Sequence, residues 1–130
     1  MRIVVTIARI LLGLVFFVLG LNGFIGFLGG PPTEGTAGAF LGSMAASHYT
    51  WMVSGVQVLA GLMLLTDLYV PLAIVALGAV LLNILTFHIT MMPAGLPLPI
   101  IVTILWFIVA WPLREHFAPL FVRKAATSPR

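Results

Sequence analysis

Apolar residues fall into four long runs along this chain, separated by short clusters of Gly, Pro, Asp and other polar residues. A helix rises about 1.5 Å per residue, so about 20 apolar residues in succession cross a bilayer. The runs predict spans at about 3–28, 49–66, 70–92 and 98–113. They are continuous, without alternation at every second residue, which favours helices over barrel strands. "GGPP" at 29–32 is read as the stop of the first span. "TDLYVP" at 66–71 is read as a tight turn, with Asp67 capping the third span and Pro71 in its first turn. "PAGLPLP" at 93–99 separates the third span from the fourth.

The fourth span is the shortest and contains Trp111 and Pro112. It is expected to run through that proline into "REHFAP", because neighbouring helices satisfy the carbonyl a proline frees. Between the first two spans, "AGAFLGSMAAS" at 37–47 is apolar enough for a short interfacial helix or a dip between helices. The tail, 117–130, reads as an interfacial anchor with a frayed end. The first run is far longer than a signal-peptide core, so cleavage is not expected. The fold expectation is a single all-α domain over 1–130, an integral membrane four-helix bundle.

Composition agrees with that pattern. Hydrophobic residues make up 62% of the chain and charged residues 7%, against about 25% charged in soluble domains. Mean hydropathy is +1.22. Nine charged side chains could not cover a water-soluble surface. The absence of cysteine removes disulfides, thiolate nucleophiles and Cys-type metal sites. A net charge of +3 is too small for a phosphate-binding face, so nucleic acid is not an expected partner. The expected partners are the lipid bilayer and other membrane subunits. The six basic residues, Arg2, Arg9, Arg114, Arg123, Lys124 and Arg130, gather at one end of a four-span bundle. The positive-inside rule then puts both termini in the cytoplasm.

Polar residues inside the runs are the candidates for chemistry. The first span carries Gly13, Gly20, Gly23 and Gly26 with Asn22 among them, a pattern that favours close helix packing with Asn22 bonding across the interface. The second carries Thr50, Ser54, Gln57 and Gly61 as a polar stripe, with the Gln57 amide near mid-membrane. It could bind a ligand carbonyl such as a quinone's, or pair with Asn83. The third carries "NILTFHIT" at 83–90, in which Asn83, Thr86 and Thr90 share one face. His88 lies about 140° around the helix from Asn83 at 3.6 residues per turn, nearer the outer end and with a backbone carbonyl as its ordinary partner.

A copper site from Met44, His48 and Met52 would need residues 44–52 to be one helix. Zinc or iron would need His48, His88 and Glu34, with Glu34 in a loop, and haem would need the two histidines to face each other. No metal site is expected from these. Arg9 is expected to snorkel, or to pair with Asp67 or Glu115. No catalytic set of any common type is present, so no catalytic residue is assigned.

"ARILLGLVFFVLGLNGF" at 8–24 resembles the opening helix of DoxX-like membrane proteins. "VQVLAGLMLLTDLYVPLAIVALGAVLLNILTFHITMMPAGLPLP" at 56–99 is similar to their second and third helices, and "REHFAPLF" at 114–121 to the tail of one subgroup. The resemblance covers most of the chain and is weakest at 29–48. It implies a four-helix protein of the bacterial inner membrane, sometimes linked to quinone-dependent sulfur oxidation or membrane redox assemblies. Many members carry glutamate where this chain has Gln57 and lysine where it has Gly23, which argues against proton-coupled chemistry here. Asn22, Asn83 and His88 fit the subgroup pattern.

Three readings stay open. The first is a non-catalytic structural or accessory subunit of a membrane complex, and this is the expectation. The second is a quinone- or small-molecule-binding redox subunit with Asn22, Gln57, Asn83 and His88 as polar contacts; it requires Gln57 and Asn83 to converge on an apolar pocket opening to lipid. The third is a small transporter or permeability factor, which would ordinarily need a charge deep in the membrane.

Overall fold

A computed structural model describes residues 1–29 and 34–127. The described chain is all-helical: α1 (Arg2–Ile25), α2 (Gly35–Ala46), α3 (Thr50–Thr66), α4 (Val70–Met91), α5 (Pro97–Ala110) and a short α6 (Arg114–Phe117). Single turns of 3-10 helix at Pro93–Gly95, Trp111–Leu113 and Ala118–Phe121 link or extend them. Three segments are long and apolar enough to cross a membrane: Arg2–Ile25, Val70–Met91 and Pro97–Phe121. The last is the expected continuation through Pro112. Helices α2 and α3 pass the same test only as a pair, bent 84° from each other, so the protein has three or four candidate spans.

The ends of the helices follow local chemistry, in two places other than expected. Helix α1 stops at Gly26, which takes the left-handed conformation at φ 73° and returns its N–H to the Asn22 carbonyl. That is a glycine C-cap, reached before "GGPP", whose residues from 30 onward lie outside the described residues. Asp67 does not cap the following helix. It ends α3 as a left-handed residue at φ 58°, a conformation that short polar side chains tolerate, and Tyr69 at φ 54° starts α4 with no side-chain cap bond.

Helices α1, α3, α4 and α5 close into a ring in which each packs on its two neighbours. Leu12 and Phe16 of α1, Leu64 of α3, and Ala73, Ile74 and Leu77 of α4 are fully buried at its centre. Outward side chains such as Leu59, Leu72, Ile104 and Phe107 remain apolar and exposed, as a lipid-facing surface requires. The α1–α3 contact is closest because glycine lines it from both sides. A Cβ added to Gly61 would lie 2.7 Å from the Phe17 nitrogen, and one on Gly20 2.9 Å from the Ser54 carbonyl. Gly78 does the same for α5: the Trp106 ring lies over it, and its Nε1–H donates to the Ile74 carbonyl at 2.9 Å.

Arg9 fastens the opposite end of the α1–α3 seam. Its guanidinium donates to the Leu64 carbonyl at the end of α3, which the Asp67 N–H also approaches at 3.4 Å, and its Nε lies 3.6 Å from an Asp67 carboxylate oxygen. Of the two partners expected for Arg9, it is Asp67 that the fold supplies.

Candidate functional site

One large cavity, of about 740 Å³, opens between α3, α4 and α2. Its α4 wall follows a single helical face through Ala76, Ala79, Val80, Asn83 and Phe87. Its α3 wall includes Ser54 and Gln57, and α2 covers it with Phe40, Leu41 and Met44. The Phe40 ring meets Phe87 with centroids 5.9 Å apart. The α2–α3 elbow that holds α2 there passes through His48, whose backbone is left-handed at φ 62°.

Ser54 and Gln57 are the two buried polar side chains among the described residues, at 5% and 9% exposure. Neither makes a side-chain hydrogen bond among the described residues, although most buried polar groups are paired. Both line the cavity, which keeps their polar atoms reachable. Ser54 is pressed against Gly23, itself a lining residue. By helix rise, Gln57 and Asn83 lie about 10–12 Å below the α3–α4 ends that meet α2, and His88 lies about 5 Å below.

The expected Gln57–Asn83 bond does not form. Asn83 Nδ2 donates to the Ala79 carbonyl one turn back on its own helix, at 2.9 Å. The rest of "NILTFHIT" behaves alike: Thr86 donates to Leu82, Thr90 to Thr86, and His88 Nδ1 bonds the Ile84 carbonyl at 2.8 Å. A polar side chain on a helix finds the i−4 carbonyl before any partner helix, so this face is not a clasp between helices. His88 has the backbone carbonyl expected of it. Its ring is T-shaped to Phe87, and its Cδ2–Nε2 edge lies over Gly95, where a Cβ would come within 2.7 Å of Cδ2.

Three of the four expected contact residues, Gln57, Asn83 and His88, therefore line one cavity, although His88 points a different way around α4 from Asn83. A void about as wide as a helix collects side chains from more than one face. Asn22 is not among the lining residues. Its Oδ1 accepts from the Leu28 N–H at 2.7 Å, so it caps the end of α1 and does not bond across to a neighbour. The sequence reading placed Ser54, Thr86 and Thr90 on polar faces without assigning them to a site, and gave no role to Phe40. Their helical spacing was visible; the fold of α2 over them was not.

The metal alternatives lose their geometry. Residues 44–52 are not one helix, since the chain breaks between Ala46 and Thr50. Met44, His48 and Met52 thus share no common face. Among the described residues no three His, Cys, Asp or Glu side chains come together. At the other end of the bundle a smaller cavity of about 400 Å³ lies between Arg2, Thr6, Arg9, Asp67 and Pro112.

The chain is a small multi-span membrane protein by its helices and their exposed apolar surface. Comparison with known proteins adds no kinship: no family profile, curated protein or solved structure matches it.

Proposed function

We propose that this protein binds a neutral lipophilic molecule of the quinone class in the cavity between α3, α4 and α2, without catalysing a reaction itself. The observation that carries this reading is the pair Ser54 and Gln57: two buried polar side chains, each without a partner, both in the wall of one apolar cavity. Neither side chain has a protein partner, and their polar atoms stay open to the cavity, where a ligand would supply the hydrogen bonds that a packing role leaves unmade. Gln57 and Asn83 lie at similar depth in the wall of one apolar cavity, which supports this reading.

The reading narrows the expectation of an accessory subunit. The chain supplies a binding site, and any electron transfer belongs to a partner in the same membrane. The order of motifs favours a DoxX-like protein of the bacterial inner membrane. Arg2, Arg9 and Arg114 near one end favour both termini in the cytoplasm. In DoxX-like proteins lysine and glutamate often stand where Gly23 and Gln57 stand here. Both of these positions line the cavity, so their neutrality suits an uncharged occupant. A transporter reading has less support, because Arg9 lies near a helix end and is already held by Leu64 and Asp67.

Purification in mild detergent followed by lipid extraction and mass spectrometry tests the proposal. The wild type should carry a neutral lipophile in near-stoichiometric amount, and the Gln57→Leu variant should lose most of it. Equal recovery from both proteins, or none from either, would overturn the reading.

A further inference from the structure

The hydrogen bonds within α4 define what kind of head group the cavity accepts. A threonine hydroxyl has one hydrogen to give, and Thr86 and Thr90 have each given theirs to a carbonyl of their own helix. A carbonyl can only accept, so His88 Nδ1 gives its hydrogen to Ile84, while its Cδ2–Nε2 edge lies over Gly95, outside the cavity wall. Asn83 has used one of its two amide hydrogens on Ala79, with its Oδ1 unengaged. All four residues line the cavity. The polar groups that α4 turns to an occupant are thus mostly acceptors, with the second Asn83 N–H as the one remaining donor. Across from them the side chains of Tyr49, Thr50, Ser54 and Gln57 can give or accept. Among the described residues no Lys, Arg, Asp or Glu lines the cavity.

Resting on the reading of this cavity as a lipophile site, we infer that its occupant is an uncharged apolar molecule whose head group donates hydrogen bonds. A hydroxyl toward α4 meets an acceptor at Asn83, Thr86 or Thr90. A head group that only accepts, such as a dione or an ether, finds on α4 only the second Asn83 N–H and otherwise relies on the α3 side. An anionic head group finds no cation. Within a pair of molecules that interconvert between carbonyl and hydroxyl forms, the hydroxyl form is the one retained.

A redox-inert pair of probes isolates this preference. A long-chain 4-alkylphenol and its methyl ether share shape and neutrality, and differ in the one donated hydrogen. In nanodiscs of a single zwitterionic lipid near neutral pH, the wild type should bind the phenol about ten times more tightly, the worth of one well-made hydrogen bond. The combined variant Thr86→Val, Thr90→Val should lose most of the preference for the phenol over the ether. Gln57→Leu should weaken both probes together. Equal affinity of the wild type for phenol and ether would overturn the inference while leaving the lipophile site standing. Failure of both probes to bind the wild type would overturn both.

Discussion

Ser54 occupies the space that any side chain at residue 23 would need. A Cβ built on Gly23 would overlap the Ser54 hydroxyl and lie 2.9 Å from the Ser54 Cβ. The α1–α3 seam and the cavity therefore share an atom. Gly23→Ala should lower stability by about 1–3 kcal/mol, the usual cost of overfilling a packed contact. Adding Ser54→Ala should restore part of that loss. A double-mutant cycle read by thermal unfolding in detergent measures the coupling, and additive effects would mean the two residues do not touch.

Gln57 offers the opposite sign. The Gln57 amide makes no protein hydrogen bond to lose, and leucine adds apolar contact in its place, so Gln57→Leu should raise the stability of the ligand-free protein by about 1 kcal/mol. The same change should abolish ligand-induced stabilisation. A structural amide would behave the other way, with Gln57→Leu destabilising the empty protein, and unfolding curves with and without added lipophile separate the two.

Arg9 and Asp67 are unequal partners. The Arg9 side chain is 15% exposed and also holds the Leu64 carbonyl, whereas Asp67 is 70% exposed. Arg9→Met should cost about 1–3 kcal/mol, because a helix-end carbonyl loses a charged donor. Asp67→Asn should change stability by less than about 1 kcal/mol, since exposed ion pairs contribute little and asparagine also accepts the left-handed backbone. Asp67→Val should be worse than Asp67→Asn on backbone grounds alone, which chemical denaturation of the two variants would reveal.

Trp106 and Gly78 make a second test of packing. Gly78→Ala would bring a methyl within 3.1 Å of the Trp106 ring and strain the bond from its Nε1 to Ile74. The expected result is a loss of about 1–2 kcal/mol, with a shift in Trp106 fluorescence. Trp106→Phe should relieve the crowding in the double variant. An unshifted spectrum in Gly78→Ala would mean that the ring is not held there.

Much of the fold was legible in the sequence because its signals are local. Long apolar runs marked the helices, glycine spacing marked the α1–α3 seam, and Pro112 did not hide the continuation to Phe121. What escaped were choices between equivalent local options. Gly26 ended α1 ahead of the more conspicuous prolines, and Asp67 closed α3 when it could have opened α4. The site was legible as a set of polar positions but not as an enclosure. Asn83 was expected to reach across to Gln57, yet a carbonyl four residues back was nearer. Nothing in the apolar, weakly patterned stretch 35–46 announced that Phe40 would lie against Phe87.

The shortness of α3 has a consequence for the surrounding lipid. Its 17 residues extend about 25 Å, less than the roughly 30 Å of a typical hydrocarbon core, while the 24 residues of α1 reach about 36 Å. The 84° turn into α2 prevents α3 from making up the difference. Where α3 crosses the bilayer, hydrophobic mismatch then falls on one flank of the molecule, the flank that bears the cavity. Lipids there must compress or tilt to meet it. A pinched bilayer at the cavity mouth would make acyl-chain length, as well as head-group chemistry, a determinant of what enters.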